Sequence, residues 1–164
     1  MPQPDPPSDH DHARCIDDAL RNAAALCARR GARLTTLRRR VLELVWQRHA
    51  AVKAYDLLDE LGAAGGSTTP PTVYRALDFL IAHGLVHRLE SLNAYVGCPM
   101  PDASHEGQFL ICGACGGVSE FEAPAIQAAI AEQAARRRFA VAEQTVEVRG
   151  TCRLCRGGPA APAR

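Results

Sequence analysis

The stretch from Thr68 to Cys98, "TTPPTVYRALDFLIAHGLVHRLESLNAYVGC", decides the fold. Thr69 is the expected helix cap, with Pro70 in the first turn, where a backbone N–H has no intrahelical partner to lose. Gly84 is the expected stop. Val73, Leu77, Leu80 and Ile81 recur as one buried stripe, which leaves Thr72, Arg75 and Ala76 nearer the outward side. Two short β-prone runs follow, "LVHRLE" and "AYVGC", and the intervening "SLN" is a hairpin signal.

Toward the N-terminus the pattern stays helical. "AYDLLDEL" predicts a short helix closed by "GAAGGS". "LRRRVLELVWQ" predicts another, capped by Thr35 or Thr36, with Val41, Leu42 and Val45 facing inward. From about Asp11 to Arg30, Ile16, Ala19, Leu20, Ala23, Leu26 and Cys27 share a helical face that Gly31 ends, so Cys27 reads as a packed core thiol. A run of helices followed by a hairpin is the layout of a winged helix-turn-helix, whose last helix enters the DNA major groove while the hairpin flanks it. Charge agrees: Arg21, Arg29, Arg30, Arg33, Arg38, Arg39, Arg40, Arg48 and Lys53 face Glu43 alone between positions 21 and 53. Such a run is often only a solvated face, but its place before this helix suits contact with phosphate.

Toward the C-terminus, "PMPDASHEG" reads as a linker, followed by strand ("QFLIC"), strand ("GVSEF"), helix ("APAIQAAIAEQAARRR") and strand ("AVAEQTVEVRG"). A unit of about 55 residues is too small to hold itself by apolar burial alone, so it needs a staple or a partner. The expected class is α+β: a loose tail at 1–10, a winged-helix domain at 11–97, a hinge at 98–107, a small α/β domain at 108–157 and a tail at 158–164. His10 and His12 read as solvated tail histidines, and Cys15 has no evident partner.

The cysteines supply the staple. Cys112 and Cys115 form one Cys-x-x-Cys turn, Cys152 and Cys155 another, with 36 residues between the pairs. Each turn can offer two thiolates to one cation, and two turns complete a four-cysteine zinc site. Each pair follows a predicted strand, so adjacent strand ends would bring the turns together. A closed site of this kind holds structure and leaves no position for activating water, which argues against an enzyme. The zinc-deaminase pattern is also missing, since Glu106 follows His105 directly and no proline precedes either pair. A redox-switched zinc centre is the alternative, because Cys-x-x-Cys also serves thiol exchange.

A second set comprises His87, Cys98, His105 and Glu120. Singly, each has a bland account as a strand, thiol, loop or strand-end residue. Together they offer sulfur, nitrogen and oxygen donors that suit a four-coordinate zinc ion.

Composition bounds the rest. The 164 residues carry a formal net charge of +1 and are 47% hydrophobic, an ordinary globular balance. No apolar run is long enough to span a bilayer, and the start lacks a basic segment followed by an apolar one. A cytoplasmic setting is therefore expected, in which seven cysteines stay reduced and favour metal over disulfides.

Taken together, "AYDLLDEL", "PPTVYRALDFL", "GLVHRLESLNAYVGC", "HEGQFLICGACGGVSEF" and "CRLC" resemble the ferric-uptake-regulator superfamily of metal-dependent repressors, and closely its zinc uptake regulator branch. The resemblance runs from about Ala23 to Cys155. It implies a structural zinc on Cys112, Cys115, Cys152 and Cys155, and a regulatory zinc on His87, Cys98, His105 and Glu120. It also implies DNA contacts from Tyr55 and Arg75, with Thr72 and Tyr74 in the same "TVYR" motif and phosphate contacts from Lys53 and Arg38. The implied function is a dimeric, zinc-responsive repressor on palindromic operator DNA that controls zinc uptake genes. An iron- or manganese-responsive repressor, a redox-sensing zinc protein and a zinc-stapled interaction module are the rivals. Two departures stand out. "DASHEGQFLIC" keeps one histidine where iron-type relatives carry a His-His-x-His run, and "LTTLR" replaces the usual "LTPQR". With a thiolate at Cys98, the first departure favours zinc, the softer ion.

Overall fold

The computed structural model describes residues 12–48, 50–63, 65, 68–101 and 107–157, which divide into two compact units with the boundary between residues 104 and 105. His10 and His105 lie outside the described residues, as does the side chain of His12.

The first unit runs α1 (His12–Arg29), α2 (Thr36–Trp46), α3 (Ala54–Ala63), α4 (Pro70–Ala82), β1 (Val86–Leu89) and β2 (Ala94–Gly97). Gly31 ends α1 in a left-handed conformation (φ +64°), so that Ala32 N–H returns to the Cys27 carbonyl at 2.8 Å. Thr35 caps α2 by accepting from Arg38 N–H. Thr69 occupies the N-cap of α4 with extended backbone but makes no capping bond from its side chain. Pro70 and Pro71 remove the first two helix donors, and the Thr69 hydroxyl pairs with the Thr72 hydroxyl at 2.9 Å.

The core of this unit joins Leu20, Ala23, Leu26 and Cys27 of α1 to Val41, Leu42 and Val45 of α2, Leu57 and Leu61 of α3, and Val73, Leu77 and Leu80 of α4. Two expectations for α4 are corrected. Ala76 is buried at 3% exposure and Ile81 is exposed at 36%. The inward stripe is 73, 76, 77 and 80, the i, i+3, i+4, i+7 set of a straight helix, and position 81 falls beyond its edge. Leu44 is buried as well, widening the apolar face of α2. The hairpin pairs antiparallel with His87 opposite Val96 and Leu89 opposite Ala94. Asn93 in its turn takes the left-handed conformation (φ 47°) that asparagine tolerates. Tyr95 and Val52 exchange two backbone hydrogen bonds of 2.8 Å, tying the wing to the segment before α3.

The second unit contains β3 (Gly107–Cys112), β4 (Val118–Glu120), α5 (Pro124–Arg136), β5 (Thr145–Gly150) and α6 (Arg153–Arg156). Strand order is β4-β3-β5. β4 runs antiparallel to β3 after a tight turn, whereas β5 pairs parallel to β3 from Gly107↔Thr145 to Cys112↔Gly150. A parallel partner requires a crossover, and α5 supplies it. The one-turn α6 is an element the sequence reading did not anticipate; Arg156 N–H bonds the Cys152 carbonyl at 2.9 Å. Among the described residues, no helix is long and apolar enough to cross a membrane.

Candidate metal centre and nucleic-acid face

Parallel pairing of β3 and β5 places both strand ends side by side, and each ends at a cysteine pair. Gly113 N–H bonds the Gly150 carbonyl at 2.9 Å, locking the two exits together. In the first turn, Gly116 is left-handed (φ +72°), its N–H reaches the Cys112 carbonyl, and Cys112 N–H reaches the Gly117 carbonyl, each at 2.9 Å. In the second turn, α6 brings Cys155 to the side of Cys152, three positions earlier. The four sulfurs all lie within 4.8 Å of one another, with Cys115 and Cys152 at 3.9 Å. Sulfurs tetrahedrally bound to zinc at 2.3 Å stand about 3.8 Å apart, so the cluster has the spacing of a filled site rather than of disulfides.

Electrostatics points the same way. Backbone N–H groups, that of Cys152 foremost at 3.3 Å from the sulfur, hold the Cys112 thiol down to about 6. The thiols around Cys155, Cys152 foremost, push it up to about 12. Four crowded thiols cannot all ionise unless a cation neutralises them, and zinc is the cation that this donor set and spacing fit.

His87 and Cys98 meet within the first unit. His87 is half-buried on β1, Cys98 follows β2 at 3% exposure, and a ligand atom of each lies within 4.8 Å of the other. Cys98 N–H is anchored to the Leu85 carbonyl at 3.1 Å. Glu120 ends β4 in the second unit, where it stands opposite Phe109.

Of the residues expected to meet DNA, three come together in the first unit: Lys53, Tyr55 and Tyr74. Tyr55, second residue of α3, is 69% exposed; Tyr74 and Arg75 are exposed on α4, and Thr72 is half-buried. Lys53, Tyr55 and Tyr74 line one concavity of about 250 Å³ together with Leu92 and Asn93 of the hairpin turn. Sequence reasoning missed Leu92 and Asn93 as lining this concavity, although "SLN" had marked their turn. Arg38 is engaged inside the unit: its guanidinium lies 3.5 Å over the Phe79 ring and donates to the Arg33 carbonyl at 2.6 Å.

The class these units define is a winged-helix protein carrying a four-thiolate metal centre on a small α/β unit. Residues 29–149 match the Ferric uptake regulator family. The chain is 42% identical over 139 residues, 84% of its length and 81% of the relative's, to the zinc uptake regulation protein of Escherichia coli (strain K12). A solved zinc uptake regulator complexed with zinc and DNA superposes with a TM-score of 0.83 at 40% identity, covering 87% of this chain and 95% of that one. The crystal structure of holo XcZur superposes at 0.81 with 41% identity, covering 87% and 99%. The chain belongs to the Ferric uptake regulator family.

Proposed function

We propose that this protein is a zinc-responsive transcriptional repressor that binds operator DNA as a homodimer when a regulatory site is filled. The observation that carries the proposal is the His87–Cys98 pair, a nitrogen and a soft sulfur donor built into the wing beside the DNA-facing helix. The similarity to zinc uptake regulators, one of them solved with zinc and DNA, supports the same reading.

In this scheme His105 and Glu120 complete the regulatory set, with residues 98–107 as a hinge between domains 11–97 and 108–157. Zinc at such a site supplies a cross-link between the DNA-reading domain and the pairing domain. The chain's own residues do the rest. Arg75 presents a fork suited to guanine O6 and N7, Tyr55 packs on base or sugar, and Thr72, Tyr74 and Lys53 address the backbone. Arg38 braces α2 against Phe79 and offers phosphate its remaining N–H groups.

Dimerisation is supported by the second unit's own surface. Leu110 on β3 and Val148 opposite it on β5 are 49% and 46% exposed, and Phe139 and Val141 project nearby in sequence. Among its described residues only a few side chains are buried: Gln108, Phe109, Ile111 and Cys112. A sheet this thinly covered gains most from a second copy.

The test is Cys98→Ser in the full chain, with DNA binding followed by anisotropy on duplexes selected from a random pool. At buffered zinc that saturates the native protein, the variant is expected to lose zinc-dependent binding while keeping its structural zinc. An unchanged zinc response in a folded variant removes Cys98 from the site. Running manganese and ferrous ions in parallel separates the zinc reading from its iron and manganese rivals.

A further inference from the structure

Trp46, the only tryptophan in the chain, is the last residue of α2. Its indole lies against Gly97: a Cβ added at position 97 would stand 2.4 Å from the indole Nε1 and 2.5 Å from Cε2. Only glycine admits that contact. The backbone gives no other reason for a glycine there, since Gly97 is absent from the positive-φ residues and sits in a regular strand paired with Val86. Gly97 immediately precedes Cys98, and Trp46 and Cys98 line one cleft of about 240 Å³ with Leu42 and Leu85.

We propose that Trp46 is a positioning residue for the regulatory metal: its indole, seated on Gly97, fixes the end of β2 and so sets where the Cys98 sulfur stands relative to His87. The Leu85 carbonyl holds the Cys98 amide from the β1 side, and the indole holds the preceding residue from the α2 side. A metal ligand is useful only when its orientation is held in advance, and outer partners that hold it commonly govern affinity as the ligands do. The inference rests on the reading of Cys98 as a zinc ligand.

The test uses the full chain, loaded with its structural zinc and stripped of the second ion by mild chelation. Second-site zinc affinity is measured by competition with a chromophoric chelator, alongside indole emission, structural zinc content and thermal unfolding. In the native chain, emission is expected to change with the second equivalent of zinc and not with the first. Trp46→Ala and Gly97→Ala are each expected to weaken the second site by about 10- to 100-fold with the structural zinc retained. Returning bulk from the strand side, as Trp46→Ala with Gly97→Leu, is expected to regain most of that loss, which a general loss of core packing would not do.

Unchanged second-site affinity in Trp46→Ala overturns the inference. So does an indole emission that ignores filling of the second site, a measurement that needs no variant to fold. Cys98→Ser separates the two readings. If it too binds the second zinc normally, the site assignment has failed; if it alone loses that zinc, only the role of Trp46 has failed.

Discussion

The amide of Cys152 donates to the sulfur of Cys112 across 3.3 Å, a contact between residues 40 positions apart. It exists because β5 lies parallel to β3 and the two strands end level with each other. The convergence of the four cysteines is therefore a property of the sheet.

Cys112→Ser removes one of the four sulfurs and the best-stabilised thiolate. Metal analysis is expected to show loss of the zinc that survives mild chelation, and sedimentation is expected to show loss of the dimer together with secondary structure. A folded, dimeric, zinc-responsive Cys112→Ser protein would contradict the structural role.

Arg75 is exposed on α4. Arg75→Ala is expected to weaken binding to the preferred duplex by about 1–3 kcal/mol and to relax selectivity at one base position in each half-site. Competition among single-base variants of the duplex reads this directly.

Lys53 shares the concavity of Tyr55 and Tyr74, yet its expected partner is phosphate. Lys53→Ala should weaken all duplexes alike and lower the slope of log affinity against log salt by about 1 per protomer. A sequence-dependent loss instead would assign Lys53 to base readout.

Asn93 holds a left-handed turn at the tip of the wing. Asn93→Val is expected to cost about 1–2 kcal/mol in denaturant unfolding, since a β-branched residue resists that conformation, while Asn93→Gly should be near neutral for stability. Asn93 also lines the concavity of Lys53, Tyr55 and Tyr74, so the glycine variant tests whether its amide, which accepts from Arg88, matters to DNA affinity.

Leu77 is fully buried where α4 meets the helical core. Leu77→Ala should destabilise the first unit by about 2–5 kcal/mol and leave the structural zinc bound, because the cysteine cluster belongs wholly to the other unit. Calorimetry paired with zinc content checks both halves.

The legible parts of this protein were those written in local pattern. The boundaries of α1 to α4 followed from apolar spacing, from Gly31 and Gly84, and from the two prolines of α4, because helix signals act within a turn or two. Ala76 and Ile81 exchanged their expected faces because the stripe was placed one position off, and a stripe's exact azimuth is set by the neighbouring helices. Leu92 and Asn93 could be read as a turn but not as lining the concavity of Lys53, Tyr55 and Tyr74, since that depends on the Val52–Tyr95 pairing that ties the wing to the segment before α3.

By itself the sequence determined the chemistry available: four thiols in two Cys-x-x-Cys turns, a histidine and a cysteine on the two arms of a hairpin, and an arginine on the outer side of a helix. Spacing along a chain fixes such choices because Cys-x-x-Cys turns and helical faces are short-range objects. Only the tertiary structure decided that the two turns converge, that His87 and Cys98 approach within 4.8 Å, and that Trp46 takes the space a side chain at Gly97 would need. Those are contacts across 10, 36 or 50 intervening residues, and they exist only once strands have paired and a helix has packed against them.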